Sequence, residues 1–216
     1  MAANTSGNRN TAFGEASLPR NTTGSDNVAI GLTALFRNTT ADNNIAIGTQ
    51  ALGNSLTGSN NIAIGSQALT GNSTSSNNTA VGYQSLQQTS GSDNTALGRL
   101  SLMGNTTGSF NTAVGSLADV NSNNLSNATA IGYGARVLAN NTIQLGADGT
   151  NGTTAITNVK TSGTITAGAI TYPNTAGTNG QVLTSNGSGT ASWAAVSGGV
   201  PYTGATQAVN LGAYDL

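Results

Sequence analysis

A glycine returns at almost constant spacing along most of the chain, and this repeat restricts the possible folds more than any other feature. It follows Ala-x, and in six of its eight copies a leucine stands four residues after it. The copies are Gly14, Gly31, Gly48, Gly65, Gly82, Gly98, Gly115 and Gly132. Every step between them is 17 residues, except for one of 16. Helix-pair repeats need about 34 residues, so this spacing fits one strand-turn-strand coil per repeat.

Alignment on the glycine gives rows of similar residues. The position two before it is Ala in every copy, and the positions one and three before it are apolar or β-branched. The position four before it is Asn in every copy but the last, which has Ala128. Short parallel strands stacked about 4.8 Å apart would place each row in register. The repeat therefore predicts an all-β parallel β-roll solenoid of about eight 17-residue coils, with an Asn ladder and a leucine row closing the interior.

Turn-forming residues separate the predicted strands. Asn, Thr, Ser, Asp and Gly dominate these segments and favour turns through positive φ angles or local hydrogen bonds. The one missing residue falls within 87–93, where a loop absorbs it without shifting strand register. In the last two copies, Asp119 and Arg136 replace the leucine one coil apart. An exposed ion pair is predicted there, contributing about 0–1 kcal/mol.

Composition excludes several functions. Charged residues make up 6% of the chain, and six basic residues are too few and too scattered for a nucleic-acid surface. No apolar run approaches the length of about 18 residues that a membrane span needs, so insertion by this chain is not expected. The absence of His and Cys excludes Ser-His and Cys nucleophiles. We expect a chain that is not an enzyme and that uses no cofactor or metal.

Several segments resemble a known family. Asp26-Asn27-Val28-Ala29-Ile30-Gly31 and Asn43-Asn44-Ile45-Ala46-Ile47-Gly48 are similar to the repeats of trimeric autotransporter adhesin heads. Residues 141–146 and 156–159 resemble that family's last head repeat and neck. The resemblance covers roughly residues 7–160 and implies a left-handed roll and a homotrimer, although these coils are longer than the family's usual ones. Residues 180–187, with Trp193, resemble segments of phage tail fibres.

These features predict three regions and one function. Residues 1–146 would be β-roll head repeats, 147–160 a neck-like cap and 161–216 a β-rich stalk or connector extension. The expected function is a non-enzymatic trimeric surface fibre or adhesin head that attaches to a host or cell-surface protein or glycan. It would be extracellular, on a bacterial cell surface or a virion fibre, and a piece of a longer protein. The alternatives are a phage tail fibre or injection-device fibre segment, a purely structural spacer and an ice-binding solenoid.

The position just after the repeat glycine varies, which predicts solvent exposure and a candidate binding row. It contains Glu15, Leu32, Thr49, Ser66, Tyr83, Arg99, Ser116 and Tyr133. Tyr83, Arg99 and Tyr133 are the candidate binding residues, and Tyr83 and Arg99 stand in consecutive copies where a guanidinium can stack on a ring. The alternative is scattered surface residues. Some Asn-x-Thr sequons also occur in this Asn- and Thr-rich chain, where chance explains them; they include Asn21, Asn38 and Asn105.

Overall fold

A computed structural model describes residues 3–147, 165–167, 170–172, 178, 181–185 and 191–195. All regular secondary structure in these residues is β-strand, which confirms the predicted all-β class. The chain divides into two compact units, Met1–Thr157 and Asn158–Leu216. The described residues contain no helix that could cross a membrane.

The first unit is a stack of short parallel strands. They are β1 (Thr11–Phe13), β2 (Val28–Ile30), β3 (Ile45–Ile47), β4 (Ile62–Ile64), β5 (Thr79–Val81), β6 (Thr95–Leu97), β7 (Thr112–Val114), β8 (Asp119–Val120), β9 (Thr129–Ile131), β10 (Arg136–Val137) and β11 (Ile143–Leu145). Nine of them form one sheet in the order β1-β2-β3-β4-β5-β6-β7-β9-β11, and β8 pairs with β10. Paired residues are 17 apart along most of the sheet, so the predicted β-solenoid of about eight coils is confirmed.

The interior of each coil is closed by two apolar rows. The middle residue of each strand from β2 to β9 in the large sheet is an alanine that points inward and is buried. The leucines of the repeat are fully buried opposite them, as predicted: Leu18, Leu35, Leu52, Leu69, Leu86 and Leu102. Leu52 adopts a left-handed φ of 49°, a conformation that costs about 1–2 kcal/mol. Burial of a leucine side chain, at about 1.5–3 kcal/mol, offsets that cost.

The repeat glycines are required by the close approach of successive coils. Gly65 has a φ of +130°, and a Cβ atom on it would lie 2.5 Å from the carbonyl oxygen of Gly82 in the next coil. A side chain here would therefore clash with main chain that cannot move aside. This close approach explains why the glycine recurs in every coil.

The predicted Asn ladder is present, but its hydrogen bonds run mainly to the main chain and not from one side-chain amide to the next. The Oδ1 atom of each Asn in the row accepts a hydrogen bond, at 2.9–3.0 Å, from the main-chain N–H of the residue at the same position in the next coil. Each Nδ2 donates to a turn carbonyl 13 or 14 residues later. Direct amide-to-amide bonds, at 3.2 Å, occur at three steps. The row thus ties each coil to the next mainly through the main chain, and it ends where Ala128 has no side-chain amide.

The 16-residue coil keeps the register of the sheet, as predicted. Thr79 pairs with Thr95 across the shortened coil, so the alternation of inward and outward residues continues. The missing residue is taken from the turn, where Ser90 donates both its main-chain N–H and its hydroxyl to the carbonyl of Thr106. A turn therefore absorbs the deletion.

The last coils depart from the repeat, and the predicted exposed ion pair does not form. Asp119 and Arg136 are neighbours in the β8–β10 pair, but Asp119 instead accepts hydrogen bonds from the N–H groups of Gly104 and Val120. The Arg136 Nε atom is buried without a hydrogen-bond partner. Both side chains are only half-exposed, and Val120 and Val137 occupy the interior that leucines fill elsewhere.

The described residues of the second unit form two antiparallel strand pairs. Strand β12 (Ile165–Ala167) pairs with β13 (Ile170–Tyr172), and β14 (Gln181–Ser185) pairs with β15 (Ala191–Ala195). The segment predicted to resemble a neck, 156–159, lies outside the described residues.

Candidate binding surfaces

The large sheet presents an uncharged outward face. Because side chains alternate along a strand, an inward middle residue forces the first and third residues outward. We call these positions of the nine strands the apolar sheet face; they carry thirteen apolar residues and five threonines. Leu97 is 48% exposed and Ile64 is 37% exposed. Nine strands about 4.8 Å apart and three residues wide give a face of roughly 400 Å² in projection, within the range of about 300–600 Å² for the largest apolar patches on monomers.

The alternation of alanine with bulky residues divides each strand into an inner and an outer side. Only the alanine side is covered within the coil, while the bulky residues face outward. A narrow coil has room for a methyl group beside the opposing leucine but not for isoleucine. The alternation of small and large residues was the signal that identifies the inward side.

The candidate binding row is exposed, as its variability suggested. Tyr83 is 48% exposed and Tyr133 is 64% exposed, and Arg99 is also exposed. Tyr83 and Arg99 lie in adjacent coils, whereas Ser116 separates Arg99 from Tyr133. The Arg99 guanidinium does not stack on the Tyr83 ring, so both groups stay available to a ligand. A binding role for these three residues stays a prediction.

Two aromatic features were missed in the sequence. The Arg20 guanidinium lies 4.8 Å from the centre of the Phe36 ring. This is the one cation–π contact among the described residues. Phe110 is 63% exposed and has a φ of 60°. Its row otherwise contains Arg9 and Asn or Asp residues, and the Asn and Asp types tolerate this left-handed conformation better. Phe110 was detectable as the one aromatic residue in that row.

The charged groups are paired or scattered. The Arg9 guanidinium donates to both carboxylate oxygens of Asp26 and lowers the pKa of that carboxyl group, but both groups lie at the surface. Asn77 donates to the Asp93 carboxylate at 3.0 Å. Within the part of the chain that the structure describes, no three His, Cys, Asp or Glu side chains gather into a possible metal-binding group. The electrostatics therefore single out no catalytic cluster there.

Comparison with known proteins adds no relative. No protein family, curated protein or solved structure matches the chain. The β-solenoid is thus established by the structure, while the likeness to adhesin heads rests on the sequence motifs. The surfaces described above are the basis for any functional assignment.

Proposed function

We propose that the chain is a non-enzymatic module of an extracellular homotrimeric fibre that displays adhesive side chains to a host or cell surface. The observation that carries this proposal is the apolar sheet face, which is continuous along the solenoid and carries no charge. Apolar patches of this size are often functional contact surfaces, and this one lies on a chain poor in apolar residues. A second and a third copy of the same chain each carry an apolar sheet face of equal length and matching repeat, which could cover it.

The energetics of that face are compatible with self-association. Burial of roughly 400 Å² per chain at about 25 cal/mol per Å² gives on the order of 10 kcal/mol per chain. Association costs about 4–15 kcal/mol in lost translational and rotational freedom. The face alone is therefore marginal for a dimer, whereas closed cyclic assembly lets each chain contact two neighbours. The preference for three chains comes from the family resemblance.

A fibre of this kind works by display. Main-chain and side-chain hydrogen bonds join successive coils, so the exposed rows are held at fixed spacing. Three copies presented together let weak individual contacts sum to a useful avidity. A bacterial surface fibre and the distal fibre of a phage or injection device both use this mechanism, and the neighbouring genes would distinguish them.

The assembly can be tested by its mass in solution. Light scattering on the purified chain should give three times 21.2 kDa, about 64 kDa, with a β-type circular dichroism spectrum. Ile64→Glu places a charge on the apolar sheet face and should lower the mass while the spectrum is retained. Thr57→Glu adds the same charge at an exposed turn position and should leave the mass unchanged. A wild-type chain that is monomeric at all concentrations would rule out the trimer.

The display role can be tested by attachment. Tyr83→Ala should reduce adherence of fibre-coated beads to cells, because the row that carries Tyr83 faces outward. Thr49→Ala, in the same row, is the matched control, since the Thr49 side chain is exposed and makes no hydrogen bond. If both variants adhere as the wild type does, the candidate row is not the adhesive surface and the spacer alternative gains support.

A further inference from the structure

Gly53 interrupts a row of side chains on the solenoid surface. The position five residues after the repeat glycine carries a side chain in each of the remaining coils. Five of these side chains lie at least partly at the surface, namely Pro19, Phe36, Thr70, Gln87 and Met103, whereas Val120 and Val137 turn inward. Without a side chain at Gly53, the space between Phe36 and Thr70 is open. It forms a groove of about 240 Å³, lined by Thr33, Phe36, Gln50, Gly53, Asn54 and Thr70.

One wall of this groove is an aromatic ring that is held in place. The Arg20 guanidinium lies 4.8 Å from the centre of the Phe36 ring and comes from the preceding coil. Gly53 and Asn54 come from the following coil. Arg20 therefore supports the ring from one side, and the ring lines the groove on the other. A ring positioned in this way offers an apolar flat surface with little freedom to move aside.

The remaining lining groups are polar and uncharged. The Asn54 amide is exposed and has no hydrogen-bond partner in the described part of the chain, so it can both donate and accept. Gln50 Oε1 accepts from Gln67 Nε2 at 3.1 Å, which leaves the Gln50 Nε2 group as a donor. The Thr70 hydroxyl donates to the main-chain carbonyl of Gln50 at 3.0 Å, and its oxygen can still accept a hydrogen bond. No carboxylate or cation lines the groove, so the chemistry favours a neutral ligand rich in hydroxyl groups.

We propose that this groove binds one pyranose unit of a neutral glycan. A pyranose presents C–H groups on one face, which match the Phe36 ring, and hydroxyl groups at its edge, which match Asn54 and Gln50. A groove of about 240 Å³ is small, which suits a ligand the size of one ring. No groove residue belongs to the apolar sheet face, so a partner chain that covers that face contacts positions of the coil other than the groove residues. The inference deepens the proposed adhesive function by giving it a ligand class, and it rests on that function for its purpose.

The test is a titration of the full-length ¹⁵N-labelled chain with methyl glycosides of glucose, galactose, mannose and N-acetylglucosamine. At least one should shift the amide resonances of Phe36, Gly53 and Asn54 saturably, with a dissociation constant on the order of 1 mM. Gly53→Thr fills the groove and should weaken binding at least about tenfold. It should still fold, since Thr70 is accommodated at the same position one coil later. Met103→Thr, at the same coil position outside the groove, should bind as the wild type does.

The outcomes separate this proposal from the fibre proposal. The glycan site is overturned if none of the four glycosides shifts these amides, or if Gly53→Thr binds as tightly as Met103→Thr. It is also overturned if the shifts cluster around Tyr83 instead, a result that leaves the adhesive function intact. Saturable shifts in a chain that light scattering shows to be monomeric would support the site and contradict the fibre. Asn54→Ala should weaken binding without changing the unfolding curve.

Discussion

Removal of one rung of the Asn ladder should cost far more stability than an exposed asparagine. Asn44 is fully buried, and its Oδ1 accepts the main-chain N–H of Asn61 at 2.9 Å. Its Nδ2 donates to the carbonyl of Gly58 at 2.9 Å. In Asn44→Ala, the Asn61 N–H loses its acceptor, and the Gly58 carbonyl keeps only the Ser55 hydroxyl, at 3.5 Å.

The magnitude follows from these two groups. A buried polar group left without its partner costs about 1–3 kcal/mol, so the loss at two groups should lower the free energy of unfolding by about 2–6 kcal/mol. With an m-value of about 2 kcal/mol/M in urea, the unfolding midpoint should fall by roughly 1–3 M. Asn54→Ala in the same coil removes an exposed amide without hydrogen bonds and should change stability by less than about 0.5 kcal/mol.

The assay is urea unfolding followed by circular dichroism, at equal chain concentrations because assembly shifts apparent stability. Amide hydrogen exchange adds a local readout, and the Asn61 N–H should exchange faster in Asn44→Ala. If Asn44→Ala and Asn54→Ala lower the midpoint equally, the ladder does not stabilise the solenoid in the way the hydrogen bonds indicate.

Three further outcomes are expected. Gly65→Ala should destabilise the solenoid by more than about 3 kcal/mol in urea unfolding, because of its positive φ and the clash with the next coil; an unchanged midpoint would contradict the coil spacing. Burial raises the pKa of Asp119 above its ordinary value of 3.8, so the folded state binds this proton more tightly and stability should fall as the pH rises through the raised pKa. Asp119→Asn should remove that fall when unfolding is compared below pH 3.8 and at about pH 7. In a glycosylating host, mass spectrometry should find the buried sequon asparagines unmodified, and occupancy there would contradict the fold; they are Asn21, Asn38 and Asn105.

The solenoid could be predicted because its strongest constraints repeat in every coil. The alanine, glycine and leucine of each repeat all contact the next coil, so the alanine and glycine recur in eight copies and the leucine in six. The turns were harder, because their residue types are common in any turn. Asn38 is fully buried and its Nδ2 donates to Asn21 Oδ1 at 2.8 Å, so a second polar row lies inside what looked like an exposed loop.

The candidate surfaces were less accessible to sequence reasoning. Exposure of Tyr83 followed from the variability of its row, but the absence of stacking with Arg99 depends on where two long side chains point. The contact of Arg20 with Phe36 joins different positions of adjacent coils, so alignment by row does not reveal it. Asp119 stands where most copies have a buried leucine. In this coil the next residue, Val120, fills the interior in its place, so Asp119 is not in the environment of the leucines.

In a repeat of this kind, the departures from the pattern contain the functional information. A residue that recurs in every coil is explained by contact with its neighbours, and it therefore says little about any ligand. A single departure that costs stability, or that opens space, lacks such an explanation. Phe110 has an exposed ring and a left-handed main-chain conformation, and Gly53 has no side chain at a position where each of the remaining coils has one. Strained or open positions on a rigid scaffold are where binding sites are usually found. These two positions are therefore stronger candidates for ligand contact than any residue that obeys the repeat.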